Sequence, residues 1–245
     1  MINLNSGSQK SKNPQSDTIN EHIDAAIVAK HAKQGRRKYL GASSLGKACS
    51  REIQYEYLQT PREKGFSGRV LRIFALGHNL EDKIVKDFRN AGYDLRNEKN
   101  GEQFGFSTAG GKISGHIDGV LCGGPEGIEY PALWECKTMA EKKYNDFVKN
   151  GVAKSHPVYA AQVAMYQAYM NLTENPTVLT SVNKNTSAYH HEIIPFNPQL
   201  AQETSDKAVN ILQAGDVMLP RISDDPGWWQ CRFCDFQRRC HGVNI

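Results

Sequence analysis

The central segment of the chain reads Leu133-Trp134-Glu135-Cys136-Lys137-Thr138, and it places one carboxylate and one ammonium group among apolar residues. Successive side chains of a β-strand point to opposite faces of the sheet, so Glu135 and Lys137 share one face of the predicted strand. Trp134, Cys136 and Thr138 share the other face. A carboxylate and an ammonium group side by side on a stiff strand suit metal-assisted chemistry on a phosphodiester.

A second predicted strand lies upstream, at 115–121, with Asp118 in its middle. Glycine and proline residues between 123 and 127 predict a turn, so we expect a hairpin that brings Asp118 to Glu135 and Lys137. The alternative is a surface hairpin with solvated charges. It disagrees with the apolar neighbours, because a charge rarely lies in an apolar strand unless it is paired or binds a metal. The thiols of Cys122 and Cys136, on or beside the hairpin, are interpreted as structural.

The composition indicates a soluble protein that works inside the cell. The chain has 245 residues and a formal net charge of only +4, which does not by itself indicate a nucleic-acid-binding protein. It contains no run of about 18 apolar residues, so no membrane span is expected, and its polar N-terminus does not resemble a secretory signal. We therefore expect a cytoplasmic location, where six cysteines favour metal or cluster ligation over disulfides.

Four sections follow one another along the chain. Polar residues at 1–16 predict a disordered lead-in. A helical N-terminal segment at 17–69 opens with a capping box, Thr18-x-x-Glu21, and contains basic residues at 36–38 that are candidates for phosphate contacts. A core at 70–214 and a C-terminal segment at 215–245 complete the chain.

The core is predicted to combine helices and strands. Apolar residues recur at three- and four-residue spacing over 70–90, a pattern typical of a helix. Further helices are predicted at 52–58, 140–150, 157–169 and 198–214, and strands at 103–106, 177–182 and 189–194. Within each of two polar pairs, the spacing places both residues on one face of their helix. These pairs are His78 with Glu81 and Gln162 with Tyr166. Each pair alone is compatible with an ordinary polar surface or packing edge.

The C-terminal segment contains Cys231, Cys234 and Cys240 in a C-x2-C-x5-C pattern, with aromatic and arginine residues between the cysteines. Two cysteines separated by two residues can bind one metal centre from a tight turn. Three ligands leave a tetrahedral site incomplete, so the fourth ligand is either Cys49 or His241.

Taken in order, these motifs resemble the RecB-like branch of the PD-(D/E)XK nuclease superfamily. The likeness is to its iron–sulfur members, the CRISPR-associated RecB-like exonucleases and the AddB-type nuclease domains, which have one cysteine before the nuclease core and three after it. The resemblance covers roughly residues 40–241. The residue before Asp118 is Ile117, whereas the motif PD-(D/E)XK is named for a proline at that position. The matching residues are Cys49, Gly77-His78-Asn79-Leu80-Glu81, Asp118, Glu135-Cys136-Lys137, Gln162, Tyr166, Cys231, Cys234 and Cys240.

The resemblance implies an α/β fold with a restriction-endonuclease-like PD-(D/E)XK core. In this fold a central mixed sheet is flanked by helices, and a cysteine-ligated cluster subdomain joins the N- and C-terminal segments. The resemblance also implies that Asp118, Glu135 and the backbone carbonyl of Cys136 bind Mg²⁺ or Mn²⁺, hard cations that prefer oxygen ligands.

The same resemblance assigns roles to the other motif residues. Lys137 would orient the attacking water or stabilise charge on the phosphate oxygens. Gln162 and Tyr166 would position the DNA strand or a metal-bound water. Whether His78, Glu81 or both reach the metal stays open; we expect both to face the hairpin, and Glu81 to contact the metal directly or through water.

Cys49, Cys231, Cys234 and Cys240 are expected to hold a 4Fe–4S cluster, because four thiolates are the usual ligands of such a cluster. Zinc bound by four thiolates, or by three thiolates and His241, is the alternative. The implied activity is hydrolysis of DNA by an exonuclease that acts on single strands or duplex ends in recombination, repair or DNA processing. A helicase or recombination protein is the expected partner. A site-specific endonuclease, a non-cleaving DNA-binding protein and a zinc-ribbon interaction protein remain as alternatives.

Overall fold

The computed structural model describes residues 13–242. Its helices are α1 (Pro14–Ala32), α2 (Ala42–Leu45), α3 (Ser50–Tyr57), α4 (Gly68–Asn90), α5 (Glu141–Ser155), α6 (Pro157–Tyr169), α7 (Pro198–Ala214), α8 (Trp229–Arg232) and α9 (Gln237–His241). Its strands are β1 (Leu40–Gly41), β2 (Leu95–Arg96), β3 (Glu98–Lys99), β4 (Glu102–Gln103), β5 (Gly105–Thr108), β6 (Ile113–His116), β7 (Gly119–Leu121), β8 (Ala132–Met139), β9 (Thr177–Asn183) and β10 (Tyr189–Ile194). The predicted mixed α/β fold is confirmed. In this described range, no helix is long and apolar enough to cross a bilayer.

A five-stranded mixed sheet forms the centre of the fold, in the order β10-β9-β8-β7-β2. The pair β8 and β9 is parallel, and the other neighbours in this sheet are antiparallel. Two parallel strands need a long crossover, which α5 and α6 supply here. Every residue of β9 is buried, as expected for a strand covered on both faces.

The two faces of β8 pack against different helices, as its alternation predicts. Trp134 and Cys136 pack in one core cluster with Phe88 of α4. Leu133 packs in another cluster with Val163 of α6. Each large apolar side chain buried in this way contributes about 1.5–3 kcal/mol to folding. Glu135 and Lys137, on the Leu133 face, are therefore covered by α6.

The predicted strand at 115–121 is interrupted at Ile117 and Asp118. The residues before the break form β6, which belongs to a second sheet in the order β1-β6-β5. Those after it form β7, which pairs with β8 so that Gly119 is opposite Trp134. The hairpin is therefore confirmed for β7 and β8, whereas the single continuous strand is wrong. Ile117 belongs to neither sheet; its side chain is fully buried, and its N–H donates to the Phe104 carbonyl at 2.9 Å.

The first helix begins earlier than its sequence pattern predicts. Asn13 is the N-cap of α1, and its side chain accepts a hydrogen bond from the backbone N–H of Gln15 at 3.0 Å. Thr18 therefore lies inside the helix, where its hydroxyl donates to the Pro14 carbonyl at 3.0 Å, and the predicted capping box is wrong. Most of the predicted lead-in, residues 1–12, lies outside the described residues.

Several other predicted elements can be compared with the structure. The helices at 70–90, 157–169 and 198–214 and the hairpin of β9 and β10 are confirmed to within a few residues. The helix predicted to end at Gly151 instead kinks there, with a φ of +70°, and continues to Ser155. The single strand predicted at 103–106 is divided between β4 and β5, which belong to different sheets. Arg36, a candidate for phosphate contacts, donates to the carbonyls of Gln59 and Thr60 at 2.6 and 3.0 Å.

The close packing of α2 on α6 can be tested at Gly46. A Cβ at this position would lie 2.7 Å from the Cα of Val158 and 2.9 Å from the Cβ of Ala161. We expect Gly46→Ala to lower the free energy of unfolding by about 1–3 kcal/mol, since the two helices must separate to accept the methyl group. Urea denaturation measures this change. The control is Gly123→Ala, where the added methyl meets open space and stability should be unchanged or slightly higher. Equal stability of the two variants would contradict the packing.

Candidate active site

The Glu135 carboxylate is the most deeply buried charged group of the site, with none of its side chain exposed. Its Oε1 accepts hydrogen bonds from Lys137 Nζ and, at 2.8 Å, from Gln162 Nε2. Its Oε2 is also buried and has no hydrogen-bond partner among the described residues. Burial raises the pKa of Glu135, the Asp118 carboxylate raises it further, and Lys137 acts in the opposite direction. One oxygen of this carboxylate thus lacks the partner that a buried carboxylate requires.

Lys137 projects from the same face of β8, because it is two residues further along the strand. Its Nζ lies 5.1 Å from the ring centroid of Tyr159. Burial alone would lower the pKa of Lys137, but the carboxylates of Glu135 and Asp118 outweigh it and raise the pKa. The side chain is therefore a fixed ammonium group between acidic residues.

Two residues of α6 complete this face. Gln162 and Tyr166 are buried and one helical turn apart. Gln162 Nε2 donates to the Tyr166 hydroxyl at 3.1 Å as well as to Glu135. The helix thereby holds the carboxylate in one orientation. The role predicted for this pair, positioning the DNA strand or a metal-bound water, stays a prediction.

Asp118 reaches β8 through the break between β6 and β7. Its Oδ2 accepts a hydrogen bond from the backbone N–H of Cys136 at 2.8 Å. The Cys136 thiol itself packs in the core cluster with Trp134, so the backbone carbonyl is the atom of this residue left to act as a metal ligand. Cys122 differs, because its side chain is exposed.

The two residues of the α4 pair, His78 and Glu81, have different surroundings. Burial, together with the Asp118 carboxylate, raises the pKa of Glu81 to about 7, and Lys137 opposes this shift. Glu81 is therefore within electrostatic range of the strand residues. The His78 side chain is 82% exposed, and its Nδ1 lies 3.9 Å from the Glu81 carboxylate. The structure thus brings Glu81 to the site and leaves His78 on the surface.

The described residues contain no His, Cys, Asp and Glu side chains grouped closely enough to form a ready-made metal site. Two observations nevertheless fit a divalent cation. The buried Oε2 of Glu135 lacks a partner. In addition, three carboxylates, those of Glu81, Asp118 and Glu135, interact around the single ammonium group of Lys137. Their excess negative charge and their oxygen ligands are what Mg²⁺ and Mn²⁺ prefer.

The four cysteines that follow the predicted pattern line one cavity of about 480 Å³. Burial raises the pKa of Cys231, and the nearby Cys49 and Cys240 add to this shift. Burial also raises the pKa of Cys234, to about 12, with smaller contributions from Glu52 and from the same two cysteines. Residues 49 and 231–240 are therefore neighbours in space although they are far apart in the chain.

Polar contacts hold the C-terminal segment against α3. The buried side chain of Gln54 donates to the carbonyls of Gly215 and Val217, at 2.9 and 2.8 Å, and accepts from the N–H of Leu219 at 2.9 Å. The Arg51 guanidinium donates to the Leu219 carbonyl and, at 3.9 Å, to the Cys240 sulfur. Another link is formed by Arg62, which pairs with Glu56 and Asp235. These contacts hold the segments that carry the cysteines against each other.

Sequence reasoning missed two residues that shape the site. Tyr159 lies three residues before Gln162 on α6, so the same helical spacing that revealed Gln162 and Tyr166 also indicates it. Gly115 leaves room for the Tyr166 ring, since a Cβ at this position would lie 2.6 Å from Cε1 of Tyr166. No pattern in the sequence marks Gly115, because the ring it accommodates is 51 residues away in the chain.

The comparison with protein families identifies the fold and the class of site. The family model of the PD-(D/E)XK nuclease superfamily matches residues 17–241, so the chain belongs to this superfamily, which indicates a nuclease. Comparison with curated proteins gives no match.

Solved structures with a similar fold include the alkaline exonuclease LHK-Exo from Laribacter hongkongensis. It has a TM-score of 0.52 at 14% identity and covers 80% of this chain and 92% of its own. The same enzyme in complex with dAMP gives a TM-score of 0.52 at 16% identity, with the same coverage. The protein SSO0001 covers 93% of this chain and 98% of its own, at 15% identity and a TM-score of 0.47.

The crowding of carboxylates predicts how metal affects stability. Asp118→Asn keeps an acceptor for the Cys136 N–H and removes one negative charge, so in EDTA it should melt about 2–4 °C higher than the wild type, or roughly 1 kcal/mol. Mg²⁺ or Mn²⁺ at about 100 times its dissociation constant should stabilise the wild type by about 2.7 kcal/mol, which is about 5–10 °C. The variant should lack this metal-dependent shift.

Thermal unfolding with and without metal measures both effects. Asp206→Asn, on the exposed side of α7, is the control and should behave like the wild type. A full metal shift in Asp118→Asn would exclude Asp118 as a ligand.

Proposed function

We propose that the protein is a metal-dependent deoxyribonuclease that removes nucleotides from DNA ends. The observation that carries this proposal is the buried Glu135 carboxylate, which has one oxygen without a partner, beside Asp118 and Lys137. Glu81, Asp118, Glu135 and the carbonyl of Cys136 would hold Mg²⁺ or Mn²⁺. When bound, the ion supplies Lewis-acid polarisation of the phosphate and activation of water. His78 is a weaker candidate for a metal ligand than these residues, because most of its side chain is exposed to solvent.

The protein residues would divide the remaining work. Lys137 Nζ would stabilise charge that develops on the phosphate oxygens, and its neighbouring carboxylates keep it protonated for this task. Gln162 would fix the orientation of the Glu135 carboxylate through its hydrogen bond to Oε1. The position of Oε2 would be fixed as a result. Tyr166 would fix Gln162 in turn. The Cys136 N–H would orient Asp118.

DNA is proposed as the substrate, and an end-directed reaction as the mode of cleavage. The support is the superfamily, whose members are nucleases, together with the fold shared with an alkaline exonuclease that has also been crystallised with dAMP. A role in recombination, repair or DNA processing, a helicase or recombination protein as partner, and a cytoplasmic location belong to the same proposal.

Lys137→Ala should lower the turnover of end-labelled DNA at least 100-fold, the usual loss when a charge-stabilising group is removed. Binding of the same DNA should change little, because Lys137 acts on charge that develops in the transition state. Product formation from single- and double-stranded DNA, with Mg²⁺ and Mn²⁺ compared, measures the turnover. The control is Lys142→Ala, an exposed lysine nearby on α5. Wild-type turnover in the Lys137 variant would contradict the assignment of Lys137 to the active site.

The mode of cleavage is tested with closed circular DNA. An exonuclease degrades the linear form and leaves the circle intact. Cleavage of the circle at one sequence would replace the proposal with a site-specific endonuclease.

We also propose that Cys49, Cys231, Cys234 and Cys240 hold a 4Fe–4S cluster, which places the protein in the iron–sulfur, RecB-like branch. Four thiols that line one cavity fit the usual ligand set of this cluster. The Arg51 contact to the Cys240 sulfur fits a thiolate at that position. Zinc, with four thiolates or with His241 as fourth ligand, is the alternative.

Cys49→Ala should remove most of the iron and lower the melting temperature, because ligation that exists only in the folded state adds to folding stability. Anaerobically purified wild-type protein should be brown and contain about four irons per chain. Cys122→Ala removes an exposed thiol and should keep colour and iron. Colourless protein with one zinc, unaffected by Cys49→Ala, would move the fourth ligand to His241.

A further inference from the structure

The ammonium group of Lys137 is held by two contacts of different kinds. It donates a hydrogen bond to Oε1 of Glu135, and its Nζ lies over the ring of Tyr159, 5.1 Å from the ring centroid. An aromatic ring attracts a cation within about 6 Å of its centroid. A lysine side chain is long and flexible, so a single contact would leave the ammonium group several positions. The Tyr159 ring therefore restrains Nζ in addition to the carboxylate.

An aromatic ring suits this position better than another acidic side chain. The carboxylates of Glu81, Asp118 and Glu135 already interact around the ammonium group, and a further carboxylate would add to their repulsion. A ring attracts the ammonium group without adding net charge. Of the three donors of this group, one goes to Glu135 and one at most faces the ring. A donor therefore stays available for a phosphate oxygen.

The Tyr159 ring is in turn stacked on the ring of His156, the N-cap residue of α6. The two ring planes differ by 3°, and their centroids are 5.3 Å apart. His156 Nδ1 lies 2.8 Å from the hydroxyl of Ser155, which donates to the Gly151 carbonyl at 2.5 Å. Because a hydroxyl has one hydrogen to donate, the imidazole is the donor in the first contact. This hydrogen bond holds the imidazole against which the Tyr159 ring is stacked.

The surroundings of the two rings fit a rigid, uncharged support. Tyr159 packs against the core cluster that includes Met139, which lies two residues beyond Lys137 and on the same face of β8. Burial lowers the pKa of His156, and the ammonium group of Lys143 lowers it further. A neutral imidazole adds no positive charge beside Lys137. The stack therefore supports the ammonium group without repelling it.

We propose that Tyr159 is a positioning residue for Lys137, and that its ring, stacked on His156, fixes the ammonium group where charge develops on the scissile phosphate. The inference rests on the proposed nuclease function and adds a residue to it. A donor that is already in place stabilises the transition state without reorganisation during the reaction. A loose ammonium group would still attract bound DNA but would stabilise the transition state less. Tyr159 should therefore act on the rate of cleavage and not on DNA affinity.

The test uses full-length, anaerobically purified protein. Single-turnover cleavage of end-labelled DNA measures the rate, and fluorescence anisotropy in EDTA measures DNA affinity without cleavage. Tyr159→Leu should lower the rate about 3–30-fold, as expected for the loss of one cation–π contact, and should leave DNA affinity within about twofold. Tyr159→Phe keeps the ring and should restore most of the rate.

The matched control is Tyr144→Leu on α5. Tyr144 packs in the same core cluster as Tyr159 and makes no described contact with Lys137. Its loss should lower the melting temperature and leave the rate of cleavage within about twofold of the wild type. An equal fall in rate for Tyr144→Leu and Tyr159→Leu would reduce Tyr159 to a packing residue and overturn the proposal.

A double variant separates a role through Lys137 from any other role of Tyr159. In the Lys137→Ala protein the ring has no ammonium group to position, so adding Tyr159→Leu should cause no further loss of rate. A further loss as large as in the wild type would show that the ring acts independently of Lys137 and would overturn the proposal. Weaker DNA binding at an unchanged rate, or no recovery in Tyr159→Phe, would do the same.

Two other outcomes are distinguishable from these. If Tyr159→Leu does not fold, Tyr159→Met, which fills the space without a ring, replaces it in every comparison. Wild-type protein that cleaves no DNA would refute the nuclease function, and the positioning role with it. Wild-type protein that cleaves DNA as fast as Tyr159→Leu would refute the positioning role alone.

Discussion

The fully buried carboxylate of Glu135 is the constraint on which the candidate active site depends. A charge inside a protein is tolerated only when it is paired and hydrogen-bonded or binds a metal. Here Lys137 and Gln162 satisfy one oxygen, and the other has no partner among the described residues. Replacing the carboxylate by an apolar group would relieve this local difficulty. Its presence in the central strand is therefore best explained by chemistry, since it adds little to the stability of the core.

The break at Ile117 and Asp118 is the second feature that builds the site. The chain passes from the three-stranded sheet to the five-stranded sheet at this point, and the side chain of Ile117 enters the core between them. Because the strand is interrupted, the Cys136 N–H takes the Asp118 carboxylate as its acceptor. The same interruption holds Asp118 within electrostatic range of Glu81 and Glu135. Mutual repulsion of these carboxylates is a cost that a bound cation would offset.

The C-terminal segment reaches the core mainly through polar contacts with α3. The amide of Gln54, fully buried, replaces the missing backbone partners of residues 215–219. Such contacts are specific because an unsatisfied buried amide or carbonyl is costly. They bring Cys49 and the three C-terminal cysteines to one cavity, whose lining also includes Tyr159 of the candidate active site. The cysteine region and the catalytic region are thus adjacent parts of one surface.

Features that depend only on neighbours a few residues away could be predicted from the amino-acid sequence. Alternation along β8 predicts Glu135 and Lys137 on one face, helical spacing predicts Gln162 beside Tyr166, and the C-x2-C-x5-C spacing keeps three cysteines near one another. Other features became visible only in the folded chain: which sheet each half of 115–121 joins, that Glu81 and not His78 approaches the strand residues, and that Tyr159 lies both beside Lys137 and in the cavity lining. The physical reason is distance along the chain. Periodicity reports on residues within one or two turns, whereas these choices depend on packing between segments that are tens of residues apart, where burial and hydrogen-bond satisfaction decide the outcome.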